Sequence, residues 1–302
     1  MDAIQERTAT LHSGVRLPYA ETGRPGVSIP VVFVHAYVES WRYFEPVMRC
    51  LPPSIHTFAP TQRGHQSVEG NPAGFRISDF ASDIVDFMDA VGAASSVLVG
   101  ASSGGLVSQV VATSHPQRVA GLVLISSPVT LADKPGVTAM REEIMALSDP
   151  IDPRFVEQFV RGTSPNEMSE EFVAGLVDQS LAIPAKVWRE SFLGLLRAER
   201  AEALENIHVP TLLLSGGVDT FVRHDQQVML DRSPTRSSSS TTEWAMALIS
   251  HTQSAWRRIS LSSFTGTEYG QVNRATRRPR HDVHGLADSS PDPTRVDDRS
   301  SA

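Results

Sequence analysis

The sequence predicts an α/β protein: a mostly parallel sheet covered by helices on both faces, with a helical insert between two core strands. Three features predict it. Short apolar runs alternate with segments of helical periodicity between residues 29 and 125. A Gly-x-Ser-x-Gly pentapeptide sits where one of these runs passes into a helical segment. From 129 to 207 only helical patterns occur, before strand character returns at 209–214.

Taken in order, residues 4–11 and 15–22 alternate loosely around the turn signal Ser13-Gly14 and read as an antiparallel hairpin. Residues 29–34, Ile-Pro-Val-Val-Phe-Val, form the continuous apolar run of a strand buried on both faces. A helix is expected around 43–51 and a strand at 56–59. Over 78–91, Phe80, Ile84, Val85, Phe87, Met88 and Val91 recur at helical spacing, with Ser78 as the N-cap and Gly92 as the stop. Strand 96–99, helix 104–114 and strand 119–125 follow, an alternation that calls for right-handed crossovers.

Helices are expected next at 137–147, 154–160, 170–180 and 184–198. An insert of this size reads as a cap over an active site, with a decorative insertion as the alternative. Trp188, Phe192, Phe155 and Phe159 fit equally a pocket wall or the cap's own core. The expected division is therefore core at 1–128, cap at 129–207, core again at 208–232 and a tail at 233–302.

Composition bounds the function. The chain has 302 residues, room for one large domain or a core with an inserted subdomain. A net charge of −7 and the lack of a broad basic face exclude a general nucleic-acid binder. Cys50 is the single cysteine, so no internal disulfide forms and a reducing compartment fits. Residues 1–7 are polar, with no signal core, and no apolar run reaches membrane-helix length. A soluble cytoplasmic protein acting on a small molecule is expected, with no nucleic-acid or membrane partner and its oligomeric state left open.

The strongest chemical signal is Val97-Leu-Val-Gly100-Ala-Ser102-Ser-Gly104-Gly105. A serine on a tight strand-to-helix turn needs positions two before and two after it without bulky Cβ substituents. Gly100 and Gly104 meet that need. Such a turn lifts the Ser102 hydroxyl clear of the sheet and aims a helix N-terminus at a developing oxyanion.

With these motifs the chain resembles the α/β-hydrolase superfamily, over residues 4–231. His35-Ala36-Tyr37 resembles the family's His-Gly-x segment, with alanine where the family usually has glycine. By that resemblance the backbone N–H groups of Tyr37 and Ser103 form the oxyanion hole. It also makes His35, and the Gln62-Arg-Gly-His65 turn, loop-shaping elements and not the general base. Asp219, in Ser215-Gly-Gly-Val-Asp, resembles the acid that orients the catalytic histidine. Its alternative is a turn aspartate closing an Asx-turn. The resemblance implies Ser102 as nucleophile and hydrolysis of a small, largely apolar ester, lactone or related carbonyl compound, with no cofactor and no metal. Haloalkane dehalogenases and epoxide hydrolases of the superfamily carry aspartate at the serine's position, so their chemistry is disfavoured. C–C bond hydrolases and cofactor-free haloperoxidase-like members share the triad and stay open, as does a ligand sensor with little turnover.

The pattern breaks after Asp231. The family calls for one more strand, a Gly-His loop and a terminal helix, whereas residues 233–302 hold 14 serines and nine arginines with little periodic apolar content. They read as a disordered tail. The genetic code offers a more specific account. Joining the last base of each codon to the first two of the next, Trp244-Ala245 and Met246-Ala247 each force glycine, and the codons between permit histidine. The same shift turns the Ser237–Ser240 run into permitted Leu, Val or Ile codons, and 253–264 into a permitted amphipathic helix. A frameshift near Arg232–Ser233 is therefore expected, which makes this chain the product of a damaged or misread gene. His251, His281 and His284 are the tail's only histidines, none in a strand-loop-helix setting.

Overall fold

A computed structural model describes residues 3–66, 74–132, 134, 136–163, 168–198, 205–216, 219, 221–232 and 236–240. The hairpin β1 (Gln5–Thr10) and β2 (Arg16–Thr22) leads to β3 (Val31–Val34), a 3-10 turn at Trp41–Phe44 and α1 (Glu45–Cys50). Then follow β4 (Thr57–Pro60), α2 (Ile77–Ala90), β5 (Ser96–Ala101), α3 (Ser103–Ser114) and β6 (Val119–Ile125). Four helices come next: α4 (Val137–Met145), α5 (Pro153–Thr163), α6 (Glu170–Leu181) and α7 (Ala185–Leu196). The chain returns to the sheet with β7 (Thr211–Ser215), α8 (Arg223–Arg232) and β8 (Arg236–Ser240).

The eight strands lie in the order β1-β2-β4-β3-β5-β6-β7-β8. β2 is antiparallel to both its neighbours, and every pair from β4 to β8 is parallel. The carboxyl ends of the parallel strands therefore share one edge, where ligand sites of such sheets gather.

The apolar runs are continuous because alternate residues serve opposite faces. Val32, Val34, Leu98 and Leu122 pack with Phe80 and Ile84 of α2 and Val107 and Val111 of α3. Val31, Phe33, Val97 and Val99 instead meet Trp41, Phe44, Val47 and Met48 around α1.

Two expectations are corrected. α2 starts at Ile77, with Arg76 and not Ser78 at the N-cap. The Asp79 carboxylate reaches back to accept the Arg76 N–H at 2.8 Å, which leaves Ser78 inside the first turn. The stretch from 233, read as a tail without a strand, contains β8, paired with β7 from Thr211↔Arg236 to Ser215↔Ser240. Ladder pairing uses backbone groups alone, so a serine run with no apolar pattern satisfies an otherwise open sheet edge. Residues 241–302, with most of the expected tail, lie outside the described residues.

The helices between β6 and β7 are tied to the loop after β3. Ser180 Oγ donates to Val38 O at 2.8 Å and Tyr37 Oη donates to Trp188 O at 2.6 Å. Below them, a buried bidentate pair of Arg63 with Asp83, at 2.5 and 2.6 Å, fastens the loop after β4 to α2. Among the described residues no helix is long and apolar enough to cross a membrane.

Candidate active site

β5 ends at Ala101 and α3 begins at Ser103, so the whole reversal falls on Ser102, at φ 47° and ψ −117°. A side-chain-bearing residue at positive φ here costs about 1–3 kcal/mol and persists only where the surroundings fix it. The Ser102 N–H donates to Ile125 O at 2.8 Å, and the Gly105 N–H donates to Ser102 O at 2.9 Å. The glycines are demanded by space. A Cβ on Gly100 would lie 2.5 Å from Gly104 O, and one on Gly104 would lie 2.2 Å from Val34 O and 2.4 Å from His35 O. Gly105 is equally confined, 2.1 Å from Ser127 Oγ by the same measure. The close approach at Gly104 presses the first turn of α3 against the loop leaving β3.

That loop is braced from within. His35 is fully buried; its Nδ1–H donates to Ala36 O at 2.8 Å and its Nε2 accepts the Gln62 N–H at 2.9 Å. Burial, with His65 beside it, lowers its pKa to about 3, so the ring is neutral and both nitrogens are committed. It shapes the loop and has no nitrogen left for a general base. Glu39 accepts the Ala36 N–H at 3.1 Å, and burial pushes its carboxyl up to about 8. Sequence reasoning missed this residue; the available signal was one acidic side chain within Val34-His-Ala-Tyr-Val-Glu-Ser-Trp.

Tyr37 turns its side chain toward the helical insert, its ring meeting Phe159, Trp188 and Phe192 at centroid distances of 5.6–5.8 Å. Phe155 in turn stacks on Phe159. Trp188 and Phe192 are fully buried, so these aromatics weld the insert to the Tyr37 loop. The cleft wall comes instead from Ser191 and Leu195 of α7, together with Ala36, Tyr37, Gln62, His65 and Ser103. Both residues expected to bind an oxyanion, Tyr37 and Ser103, thus border one cleft. The Ser103 N–H belongs to the first turn of α3, where backbone donors lack intrahelical acceptors.

Asp219 follows β7, two strands from β5 with β6 between, so Ser102 and Asp219 both lie past the carboxyl ends of parallel strands. Its Oδ1 accepts the N–H groups of Phe221 at 3.1 Å and Val222 at 3.2 Å, the turn arrangement named as its alternative. Among the described residues no histidine hydrogen-bonds Ser102 or Asp219. His56 bonds Glu21 at 2.9 Å, His12 lies 3.6 Å from Asp86, and His65 Nδ1 donates to Arg63 O at 2.9 Å. His251, His281 and His284 lie outside the described residues. Among the described residues the one group of metal-ligand type is His12, Asp86 and Asp89, and there Asp89 already pairs with Arg118 at 2.6 Å.

Known proteins place this architecture. The family model described as alpha/beta hydrolase fold matches residues 29–244, more than half of the chain. Epoxide hydrolase A of Mycobacterium tuberculosis is 33% identical over 133 residues, 42% of this chain and 40% of that protein. RutD of Variovorax paradoxus, named for carbamate hydrolysis, is 33% identical over 190 residues, 60% of this chain and 70% of its own. The chain thus spans less than half the length of the first relative and somewhat more than two thirds of the second. The solved esterase EaEST of Exiguobacterium antarcticum shares the fold at a TM-score of 0.69 and 20% identity, covering 78% of this chain and 90% of that one. The family match, the parallel sheet and the serine turn agree: the chain belongs to the alpha/beta hydrolase fold family.

Proposed function

We propose that the protein is built as a cytoplasmic serine hydrolase for a small, largely apolar ester, lactone or related carbonyl compound. Ser102 attacks the carbonyl, the N–H groups of Tyr37 and Ser103 hold the oxyanion, and Asp219 orients a histidine that takes the serine proton. Water then releases the acyl group. The helices of residues 129–207 form the cap that walls the substrate. The observation that carries this reading is Ser102 at φ 47°, between glycines that no larger residue can replace. The backbone strain there has no other evident use. Serine at this position disfavours the aspartate-nucleophile chemistry expected of epoxide hydrolases in the superfamily. Labelling with a fluorophosphonate probe tests the reading: modification at Ser102, abolished in Ser102→Ala, supports it. Labelling that persists in the alanine variant removes it.

A second reading is favoured by the histidines. With none of the described ones bonded to Ser102, the serine hydroxyl stays protonated and is a weak nucleophile. On this reading the fold binds a small ligand with little turnover. Ligand binding without any probe labelling of the intact chain distinguishes it from the first.

A further inference from the structure

The cleft bordered by Tyr37 and Ser103 has two polar atoms that nothing among the described residues satisfies. His65 and Ser191 are 3% and 2% exposed, and neither His65 Nε2 nor Ser191 Oγ has a hydrogen-bond partner among the described residues. Both residues line the same cleft, a partly open recess with about 20 Å³ of room, enough for one water-sized group such as a hydroxyl. Buried polar atoms are ordinarily paired, and leaving two unpaired in one cleft destabilises the fold with no structural return.

The chemistry of the two atoms is fixed. His65 Nδ1 lies 2.9 Å from Arg63 O, and a carbonyl only accepts, so the ring proton sits on Nδ1 and Nε2 presents a bare lone pair. Burial lowers the His65 pKa to about 4, so this holds at neutral pH. Ser191 Oγ can accept or donate. Around the pair the walls are apolar, with Ile77, Phe80, Val107 and Leu195. A group that fits must therefore be small, present a hydrogen-bond donor to the imidazole and carry a short apolar remainder.

We propose that this cleft is a substrate subsite for a hydroxyl-bearing group next to the reacting carbonyl, the hydroxyl donating to His65 Nε2 and accepting from Ser191 Oγ. The proposal rests on the hydrolase reading of Ser102 for its meaning in catalysis, and it narrows that reading to hydroxy esters or their ring-closed equivalents. An apolar ester of the same length leaves both protein atoms unpaired in the bound state, which is how a polar subsite rejects it.

Binding tests the subsite apart from turnover. Methyl 2-hydroxybutanoate, methyl 3-hydroxybutanoate and methyl butanoate are titrated into the full chain carrying Ser102→Ala and 15N-labelled histidine. At least one hydroxy ester is expected to bind about tenfold more tightly than methyl butanoate, the worth of roughly one net hydrogen bond. The same ester is expected to shift the His65 Nε2 resonance upfield, as accepting a proton does. Adding Ser191→Ala should bring the affinity ratio near one, and His65→Gln, which retains an acceptor, should keep part of it. Equal binding of all three esters with the His65 resonance unmoved overturns the proposal and leaves the pair as a water site; so does no binding at all. Probe labelling of unmodified Ser102, run alongside, separates the two readings. Hydroxy-ester preference without labelling retains the subsite and leaves this chain as a binder with an unactivated Ser102, whereas labelling without preference removes the subsite and keeps the hydrolase.

Discussion

At Ser102 the backbone turns through φ 47° with no room for a Cβ at Gly100 or Gly104. The atoms a Cβ would strike at Gly104 are backbone oxygens of Val34, the last residue of β3, and of His35 in the braced loop after it, which cannot swing aside as a side chain could. Gly104→Ala is therefore expected to destabilise the fold by about 1–3 kcal/mol or more, measured by urea unfolding, and to abolish probe labelling at Ser102. Full retention of both would mean that the turn is looser than its geometry. Glu39 allows a prediction about pH. Its folded pKa near 8 lies above the ordinary 4.5, so between those values the folded chain holds a proton that the unfolded chain has released. Stability from this group is thus lost as pH rises through that window. His35 and His65, with folded values near 3 and 4 against 6.5, tilt stability the other way but only below about pH 6.5. Between pH 6.5 and 8 Glu39 acts alone among the three. Thermal unfolding of the native chain should fall over that interval, and Glu39→Gln should flatten the fall. An unchanged slope in the variant assigns it to other groups.

The elements differ in how plainly the sequence announced them. The strands from β3 to β7 were legible because each is a short apolar run, and burial on both faces requires just that of Val31–Val34 or Val119–Ile125. The serine turn was legible because its constraint is local and steric. Glu39 was not legible, since its burial depends on how the loop after β3 folds over itself beneath the insert. β8 was not legible either: its pairing uses the backbone, and serine side chains leave no periodic trace. The start of α2 was misplaced because two capping residues compete there, and the Asp79 carboxylate outdoes the Ser78 hydroxyl. Packing of the insert is testable in the same terms. Gly194 stands inside α7, where glycine normally weakens a helix, because a Cβ would come 1.7 Å from Phe75 O. Gly175 stands inside α6 with nothing within 4 Å of its Cβ position. Gly194→Ala should destabilise by about 1–3 kcal/mol despite the better helix former, whereas Gly175→Ala should be neutral or stabilise by up to about 1 kcal/mol. If both variants behave alike in urea unfolding, the close contact between α7 and the Phe75 backbone is not what fixes the insert.

For the whole molecule the open question is where a base for Ser102 comes from. In this fold family's chain order the histidine follows the acid, so with Asp219 as the proposed acid it belongs beyond that residue. Of the histidines beyond it, His224 is exposed on α8 and the other three lie outside the described residues. The edge strand β8 sits where a last core strand belongs, yet it is built from Ser237–Ser240, residues with no apolar side chain. One shift of the reading frame changes both facts together. The serine codons become permitted Leu, Val or Ile codons, and 244–247 become Gly, a permitted His, and Gly. A strand that gains an apolar face and a loop that gains a base, in the order the chemistry needs, point to a single lost or added base near codons 232–233. Sequencing the coding DNA across codons 225–270 is expected to show it. The protein made from the restored frame should label at Ser102 at least about 100-fold faster than this chain, the usual worth of a positioned general base. A confirmed frame together with rapid labelling of this chain would instead require a base from His224 or the tail, and replacing those histidines one at a time would find it. A confirmed frame with no labelling would leave a hydrolase fold that retains its serine turn and cleft for binding.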